Sequence, residues 1–151
     1  MLRWLTAFVD LPPDAAERGV AFWRTITGST LSSRRGERSQ FVTLLPTHGD
    51  AYLRAQTVLA GHGGCHLDLH ADDPDEIAER ALSLGAAQRH SEPGLIVVES
   101  PAGLGFCAVR HHGEATRPSP VVRGDGTRSL VDQVCLDIPA SDSGDKRKSR
   151  G

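Results

Sequence analysis

Cys65-His66-Leu67-Asp68-Leu69-His70-Ala71-Asp72-Asp73-Pro74-Asp75-Glu76 is the stretch on which the fold turns. Leu67, Leu69 and Ala71 alternate with His66, Asp68 and His70, the period of a strand with one apolar and one polar face. Asp73 before Pro74 is a helix start, a capping oxygen followed by a proline at the first helical position. A short helix over Ile77 to Leu84 then stops at Gly85.

The same order stands near the N-terminus. Leu5, Ala7, Val9 and Leu11 alternate with Trp4, Thr6, Phe8 and Asp10, and Pro12-Pro13 closes the strand. Asp14 with Glu17 three residues on offers a capping box, Val20, Trp23 and Ile26 make an apolar stripe at helical spacing, and Gly28 is a stop. Strand-like stretches follow at Leu31 to Arg35, Gln40 to Leu45 and Ala51 to Val58. After the second helix come Leu95 to Glu99 and Gly105 to Arg110, joined by the turn Ser100-Pro101-Ala102-Gly103. A strand, a helix and then a run of strands occurs twice, three strands named in the first run and two in the second, an internal repeat that predicts an α+β domain over residues 1–112, built from two βαβββ modules, 1–60 and 64–112.

Beyond the repeat, the Pro- and Gly-rich stretch 113–128 reads as a linker. Residues 129–140 read as an extra strand, because Val134-Cys135-Leu136-Asp137-Ile138-Pro139 copies Ala7-Phe8-Val9-Asp10-Leu11-Pro12 in type and spacing. Residues 141–151 are polar and are expected to be a disordered tail. Leu130, Val134, Leu136 and Ile138 make the extra strand too apolar to stay unpaired. It is expected to join an edge of its own sheet or to cross to a second protomer. The connection before it reaches up to ~60 Å when extended, and exchange of strand 130–138 would give a symmetric homodimer.

Composition narrows the function. A chain of 151 residues fits one domain with a single core. Its net charge of -2 draws it to no polyanion, the small basic cluster Lys146-Arg147-Lys148-Ser149-Arg150 notwithstanding, so nucleic acid is not an expected partner. No apolar run reaches the ~18 to 20 residues of a membrane-spanning helix and Met1-Leu2-Arg3-Trp4 lacks a signal-peptide pattern, so the expected location is the cytoplasm, away from membrane. Cys65, Cys107 and Cys135 are odd in number and widely spaced, which suits reduced packing residues better than a disulfide framework or a Cys-x-x-Cys zinc site.

Residues 4 to 110 resemble the vicinal-oxygen-chelate (glyoxalase, bleomycin-resistance and dioxygenase) superfamily, and within it the glyoxalase-like branch. The resemblance rests on Phe8-Val9-Asp10-Leu11-Pro12 leading to Ala21-Phe22-Trp23 and Thr27-Gly28, and on Tyr52-Leu53-Arg54-Ala55-Gln56. It rests further on His66 to Pro74 leading to Leu84-Gly85-Ala86, and on Ser100-Pro101-Ala102-Gly103 leading to Phe106-Cys107. It implies two half-sheets curved into a cup, with helices outside and ligand inside. Longer relatives carry two such domains in tandem, so 129–140 looks like the start of a further module and the chain like a truncation. In metal-dependent members, the first and last strands of each half supply His, Gln or Glu ligands. Those positions fall here on Thr6, on Arg54 or Gln56, on His66 and on Cys107. Only His66 and Gln56 are conventional ligands, two neutral groups that hold a hard divalent metal poorly. The glyoxalase I mechanism also needs a carboxylate base that those positions lack.

The candidate site is thus a cup lined by Thr6, Phe8, Arg54, Gln56, His66, Asp68, His70 and Cys107. His66, Asp68 and His70 share one strand face, as a polar substrate wall, as structural polar residues, or as a metal site with His66 the first ligand. Same-face neighbours on a flat strand lie ~6.5 to 7 Å apart, which makes three ligands to one ion awkward. Arg54, on one face with Gln56, would suit a carboxylate or enolate oxygen, or pair with a surface acid. Trp4 and Phe8 are either an aromatic wall or core. Cys65 and Cys107 are nucleophiles only if a histidine activates them, and otherwise small buried hydrophobes. Asp10, near a strand end, has a structural role, and His62, His90, His111 and His112 are left as loop or terminal residues.

Two functions of different class stay open: a small-molecule binding protein without the glyoxalase I metal mechanism, or a metal-dependent lyase, isomerase or dioxygenase holding a divalent metal. A third is a truncated, non-catalytic assembly subunit.

Overall fold

The computed structural model describes residues 1–59 and 62–136. The first module consists of β1 (Leu2–Leu11), α1 (Ala16–Thr27), β2 (Thr30–Leu31), β3 (Phe41–Leu45) and β4 (Leu53–Thr57). The second consists of β5 (Gly64–Ala71), α2 (Pro74–Ser83), β6 (Ala87–Glu92), β7 (Leu95–Glu99) and β8 (Gly105–Arg110). All eight strands form one sheet in the order β2-β3-β4-β1-β5-β8-β7-β6. Within each module the first and last strands pair in parallel, β1 with β4 and β5 with β8. The modules meet where β1 and β5 pair antiparallel, Thr6 opposite Asp68 and Phe8 opposite His66. This is the expected α+β fold of two βαβββ modules, related by a pseudo-twofold at the β1–β5 seam.

Alternation along the strands separates the two faces of the sheet. Ala7, Leu53, Ala55 and Leu67 pack with Val20 of α1 and with Val42 and Leu44 into one apolar cluster. Ala78 of α2 packs with Ile96, Val98 and Ala108 into a second. Residues of opposite parity, among them Phe8, Arg54, His66, Asp68 and Cys107, are therefore left to the concave face.

The two helices start differently. Asp73 caps α2 as expected, accepting from the Asp75 backbone N–H at 3.0 Å, with Pro74 in the first turn. The capping box expected of Asp14 and Glu17 does not form: α1 begins after Ala15 with no side-chain cap. The Pro12-Pro13 turn is closed instead by Ala15 N–H donating to the Pro12 carbonyl at 3.0 Å, and Glu17 pairs with Arg34. Gly28 ends α1 at φ 63°, the left-handed conformation that glycine adopts most readily.

Two further departures concern strands. Gln88-Arg89-His90-Ser91-Glu92, which shows no apolar alternation, forms most of the edge strand β6, held in register by β7 and by the Arg89–Glu99 ion pair at 2.6 Å. The extra strand expected over 129–140 is not formed in its described part. Arg128–Ser129 pairs with Val121–Val122 as a short ribbon (β9, Val121–Val122; β10, Arg128–Ser129), and residues 130–136 run outside any ladder. They are held otherwise: the Tyr52 hydroxyl donates to the Val131 carbonyl, and Arg117 pairs with Asp132 at 3.1 Å. Residues 137–140 and the tail expected at 141–151 lie outside the described residues.

The stretch 113–128, expected as a linker, docks on the first module. Asp50 accepts from the backbone N–H groups of Ala115 and Thr116, both at 2.8 Å. Those bonds hold the Asp50 carboxyl below the ordinary carboxylate range. Among the described residues no helix is long and apolar enough to cross a membrane.

Candidate functional site

The concave face encloses a cavity of about 630 Å³, within the usual range for a small-molecule site. Its polar wall comes from β1, β4, β5 and β8 through Asp10, Arg54, Gln56, His66, Asp68 and Cys107, with Arg35 on the connection after β2. Apolar surface comes from Phe8, Phe41, Leu95, Val97, Phe106 and Val109. The parity of four strands, not any single motif, brings these side chains together.

Of the eight residues expected in the cup, seven line it: Phe8, Arg54, Gln56, His66, Asp68, His70 and Cys107. Thr6 is the exception, a correction with a plain cause. It is fully buried, and its hydroxyl lies 2.9 Å from His70 Nε2, so the two groups satisfy each other beneath the cavity surface. His70 is itself 2% exposed; its Nδ1 has no hydrogen-bond partner and sits 3.9 Å from Glu114 Oε1. Burial pushes the His70 pKa down, against the pull of Glu114, so the ring is held neutral.

The floor of the cup is organised around His66. Its ring stacks on Phe8 with centroids 4.5 Å apart and planes 12° from parallel. Its Nδ1 lies 2.8 Å from Asp10 Oδ2, and its Nε2 lies 3.9 Å from Asp68 Oδ1. Asp68 is paired in register with Cys107 of β8. Burial raises the Asp68 pKa, opposed by His66 and Arg54. Burial and then the Asp68 charge push the Cys107 thiol up to about 12. A thiol so raised is a poor nucleophile at neutral pH. Cys65 lies exposed on the opposite face of β5, as strand parity requires, and cannot pair with His66.

Arg54 faces the acids from β4. Its guanidinium carbon is 5.7 Å from the Phe8 ring centroid, and its Nε is buried without a hydrogen-bond partner. Among the described residues no carboxylate lies within ion-pair distance of it. Burial lowers its pKa, as expected for a cation short of compensation.

Sequence reasoning missed Asp10, Arg35 and Phe41. For Asp10 the signal was present, since it shares the strand face of Thr6 and Phe8; its place near a strand end suggested structure alone. Arg35 and Phe41 flank a connection whose bridge, Arg35 to Phe41, no alternation announces. His112, set aside as terminal, also lines the cavity. Trp4 does not line it, and its indole N–H donates to the Ala51 carbonyl at 3.4 Å.

The four positions at which the resemblance implies metal ligands do not make that set. Thr6 is committed to His70, Arg54 brings positive charge, and His66 and Cys107 remain with Gln56. No reaction step through a metal follows from them.

The family model for a glyoxalase-like domain matches residues 6–109. Comparison with curated proteins finds no match. Among solved structures, the chain is similar to 2,2',3-trihydroxybiphenyl 1,2-dioxygenase from Sphingomonas wittichii strain RW1, at 12% identity over 78% of this chain and 43% of that one, TM-score 0.48. It is similar to a glyoxalase/bleomycin resistance protein/dioxygenase superfamily member from Vibrio splendidus 12B01, at 16% identity over 74% of this chain and 100% of that one, TM-score 0.49. An extradiol ring-cleaving dioxygenase from B. fuscum is 15% identical over 76% of this chain and 34% of that one, TM-score 0.49. The chain therefore spans less than half of either dioxygenase. With the family model covering both modules of the cup, the chain belongs to the glyoxalase-like domain family.

Proposed function

We propose that this chain binds a small molecule carrying an anionic oxygen, a carboxylate or an enolate, on a flat or apolar body. The observation that supports it most is Arg54: a guanidinium in the cup wall, with its Nε buried and, among the described residues, no hydrogen-bond partner and no acid within ion-pair distance. An anionic ligand supplies the missing acceptor, and a charge-assisted bond out of water is strong enough to hold it. Arg35 on the same cavity adds charge of the same sign, while Phe41, Leu95, Val97 and Val109 offer apolar surface to the ligand's body.

Binding without turnover is the form of this proposal that the residues favour. The raised Cys107 thiol disfavours covalent catalysis, and of the family's ligand positions Thr6 is committed to His70 and Arg54 is a cation. A metal-dependent lyase, isomerase or dioxygenase is the second reading, favoured by one observation, the gathering of His66, Asp68 and Cys107. The three free cysteines suit a reducing compartment, and we place the protein in the cytoplasm.

The test is a thermal-shift screen of aromatic and aliphatic carboxylates beside their neutral amides. Acids are expected to raise the melting temperature of the wild-type chain and not of Arg54→Met, with Arg128→Met as a control away from the cup. Amides performing as well as acids would overturn the proposal.

A further inference from the structure

Arg54 does not stand alone on its side of the cup. Thr43 of β3 lies directly opposite it in the β3–β4 ladder. Side chains paired in this way share a face, with Cβ atoms ~4.5–5.5 Å apart. Thr43 is only 4% exposed, and its hydroxyl accepts from Arg35 Nη2 at 2.7 Å. One buried hydroxyl thus fastens a second guanidinium beside the first. Resting on the anion-binding function proposed above, we infer that the ligand is a dicarboxylate, its inner carboxylate on Arg54 and its outer one on Arg35 at the mouth of the cup.

The local chain fixes Arg35 in place. Its backbone exchanges two hydrogen bonds with Phe41, at 2.9 and 3.0 Å. Gly36 follows at φ 86°, a left-handed conformation that lets the chain turn back toward Phe41. Ser32 ties the start of this connection to β3, donating its N–H to the Thr43 carbonyl at 3.0 Å and accepting the Thr43 N–H on its hydroxyl at 2.9 Å. Two arginines adjacent in sequence then have opposite fates. Arg34 does not line the cavity and is paired with Glu17. Arg35 lines the cavity, is exposed to solvent and, among the described residues, has no carboxylate within ion-pair distance.

The charges of the cup set the direction of the ligand. Its acids, Asp10 and Asp68, lie on β1 and β5, where His66 faces both. An anion on Arg54 that extended toward Asp68 would meet like charge, whereas one that extends toward Arg35 meets opposite charge. Burial first, and the Arg35 charge after it, lower the Arg54 pKa against the pull of Asp68. Two guanidiniums therefore face one cavity without a close counter-ion among the described residues, and one dianion balances both. Each guanidinium matches a carboxylate through parallel N–H bonds, and such charge-assisted bonds are roughly twice as strong as neutral ones. Phe41, in edge contact with Phe8 at 6.2 Å, offers the ligand's body an aromatic surface beside both arginines.

Calorimetric titration of the full chain tests this with isophthalate, terephthalate and succinate, each beside its mono-amide, and with benzoate. Each mono-amide keeps the shape and one charge of its acid, so the comparison isolates the outer carboxylate. The best of the three diacids should bind the wild type at least about tenfold more tightly than its mono-amide. Arg35→Gln should bring the two level while leaving benzoate within about threefold of wild type, since exposed charges beyond ~8 Å are screened at physiological salt. Retained benzoate binding also shows that this variant is folded. Arg34→Gln removes the same charge one residue away and should keep the diacid preference. Diacids that bind the wild type no better than their mono-amides, a preference that survives Arg35→Gln, or one lost equally in Arg34→Gln overturns the inference. Benzoate that depends on Arg54 beside diacids that gain nothing sinks the dicarboxylate alone; benzoate that binds Arg54→Met as well as wild type sinks the anion-binding cup itself.

Discussion

His66 Nδ1 lies 2.8 Å from Asp10 Oδ2 across the seam where the two modules join. The bond ties the floor of the cup to the pairing of β1 with β5, and both partners are mostly shielded from water. Asp10→Ala is expected to destabilise the fold by about 1.5–3 kcal/mol, the range for a hydrogen bond to a charged group. Urea denaturation checks this; a change under about 0.5 kcal/mol would mean that the bond does not hold the seam.

Arg54 should cost the ligand-free protein stability, since burial disfavours its charge more than Asp68 and Glu114 offset it, and among the described residues no carboxylate lies within ion-pair distance of it. Arg54→Met is expected to raise stability by roughly 0.5–2 kcal/mol, the scale of common stabilising substitutions and of the trade between stability and function. Thermal unfolding without ligand checks the sign. A destabilised Arg54→Met would show that the arginine already has compensation in the fold.

His70 makes folding depend on pH. Its folded pKa lies below its ordinary value of 6.5, through burial, with Glu114 opposing and Arg54, His111 and His112 reinforcing. The unfolded chain therefore takes up the proton first, and stability falls as pH drops through the window below about 6.5. Unfolding free energies at pH 7.5 and 5.5 should fall more steeply in the wild type than in His70→Gln. Parallel profiles would remove His70 from the account.

Residues 130–136 are fastened by Tyr52 and Arg117 instead of by a ladder. Tyr52→Phe should cost about 0.5–1.5 kcal/mol and speed proteolysis within that segment. Unchanged cleavage would show that the Tyr52 bond does not hold the segment.

Assembly as a symmetric homodimer is a further expectation, because Leu2, Leu5, Val134 and Leu136 are all at least 38% exposed in a single chain. Light scattering at micromolar concentration should give twice the chain mass, and a clean monomer would refute it.

The fold was legible where local and global signals agreed. β1 and β5 alternate strictly, and Asp73-Pro74 caps a helix whatever surrounds it. β6 was not legible as a strand because its Arg89, His90 and Glu92 face water at a sheet edge and carry no apolar period. Segment 130–136 misled for the opposite reason: Val134 and Leu136 alternate as strand residues do, yet they stay exposed, and Tyr52 and Arg117 hold the segment without a ladder. For the site, parity put His66 with Asp68 and Arg54 with Gln56 on shared strand faces, and the family resemblance turned those faces into the cup; Asp10 shares the face of Phe8 by the same parity. The approach of Cys107 to Asp68 depends on the β5–β8 register, and the commitment of Thr6 to His70 on the β1–β5 register. Neither register is written in any one segment.

The most direct measurement is isothermal titration of one carboxylate ligand and its primary amide into the wild-type chain and Arg54→Met. The acid should bind the wild type at least tenfold more tightly than the amide, about 1.4 kcal/mol, and that preference should vanish in the variant. Equal affinities in the wild type, or an acid preference that persists without Arg54, would contradict an anion-binding cup.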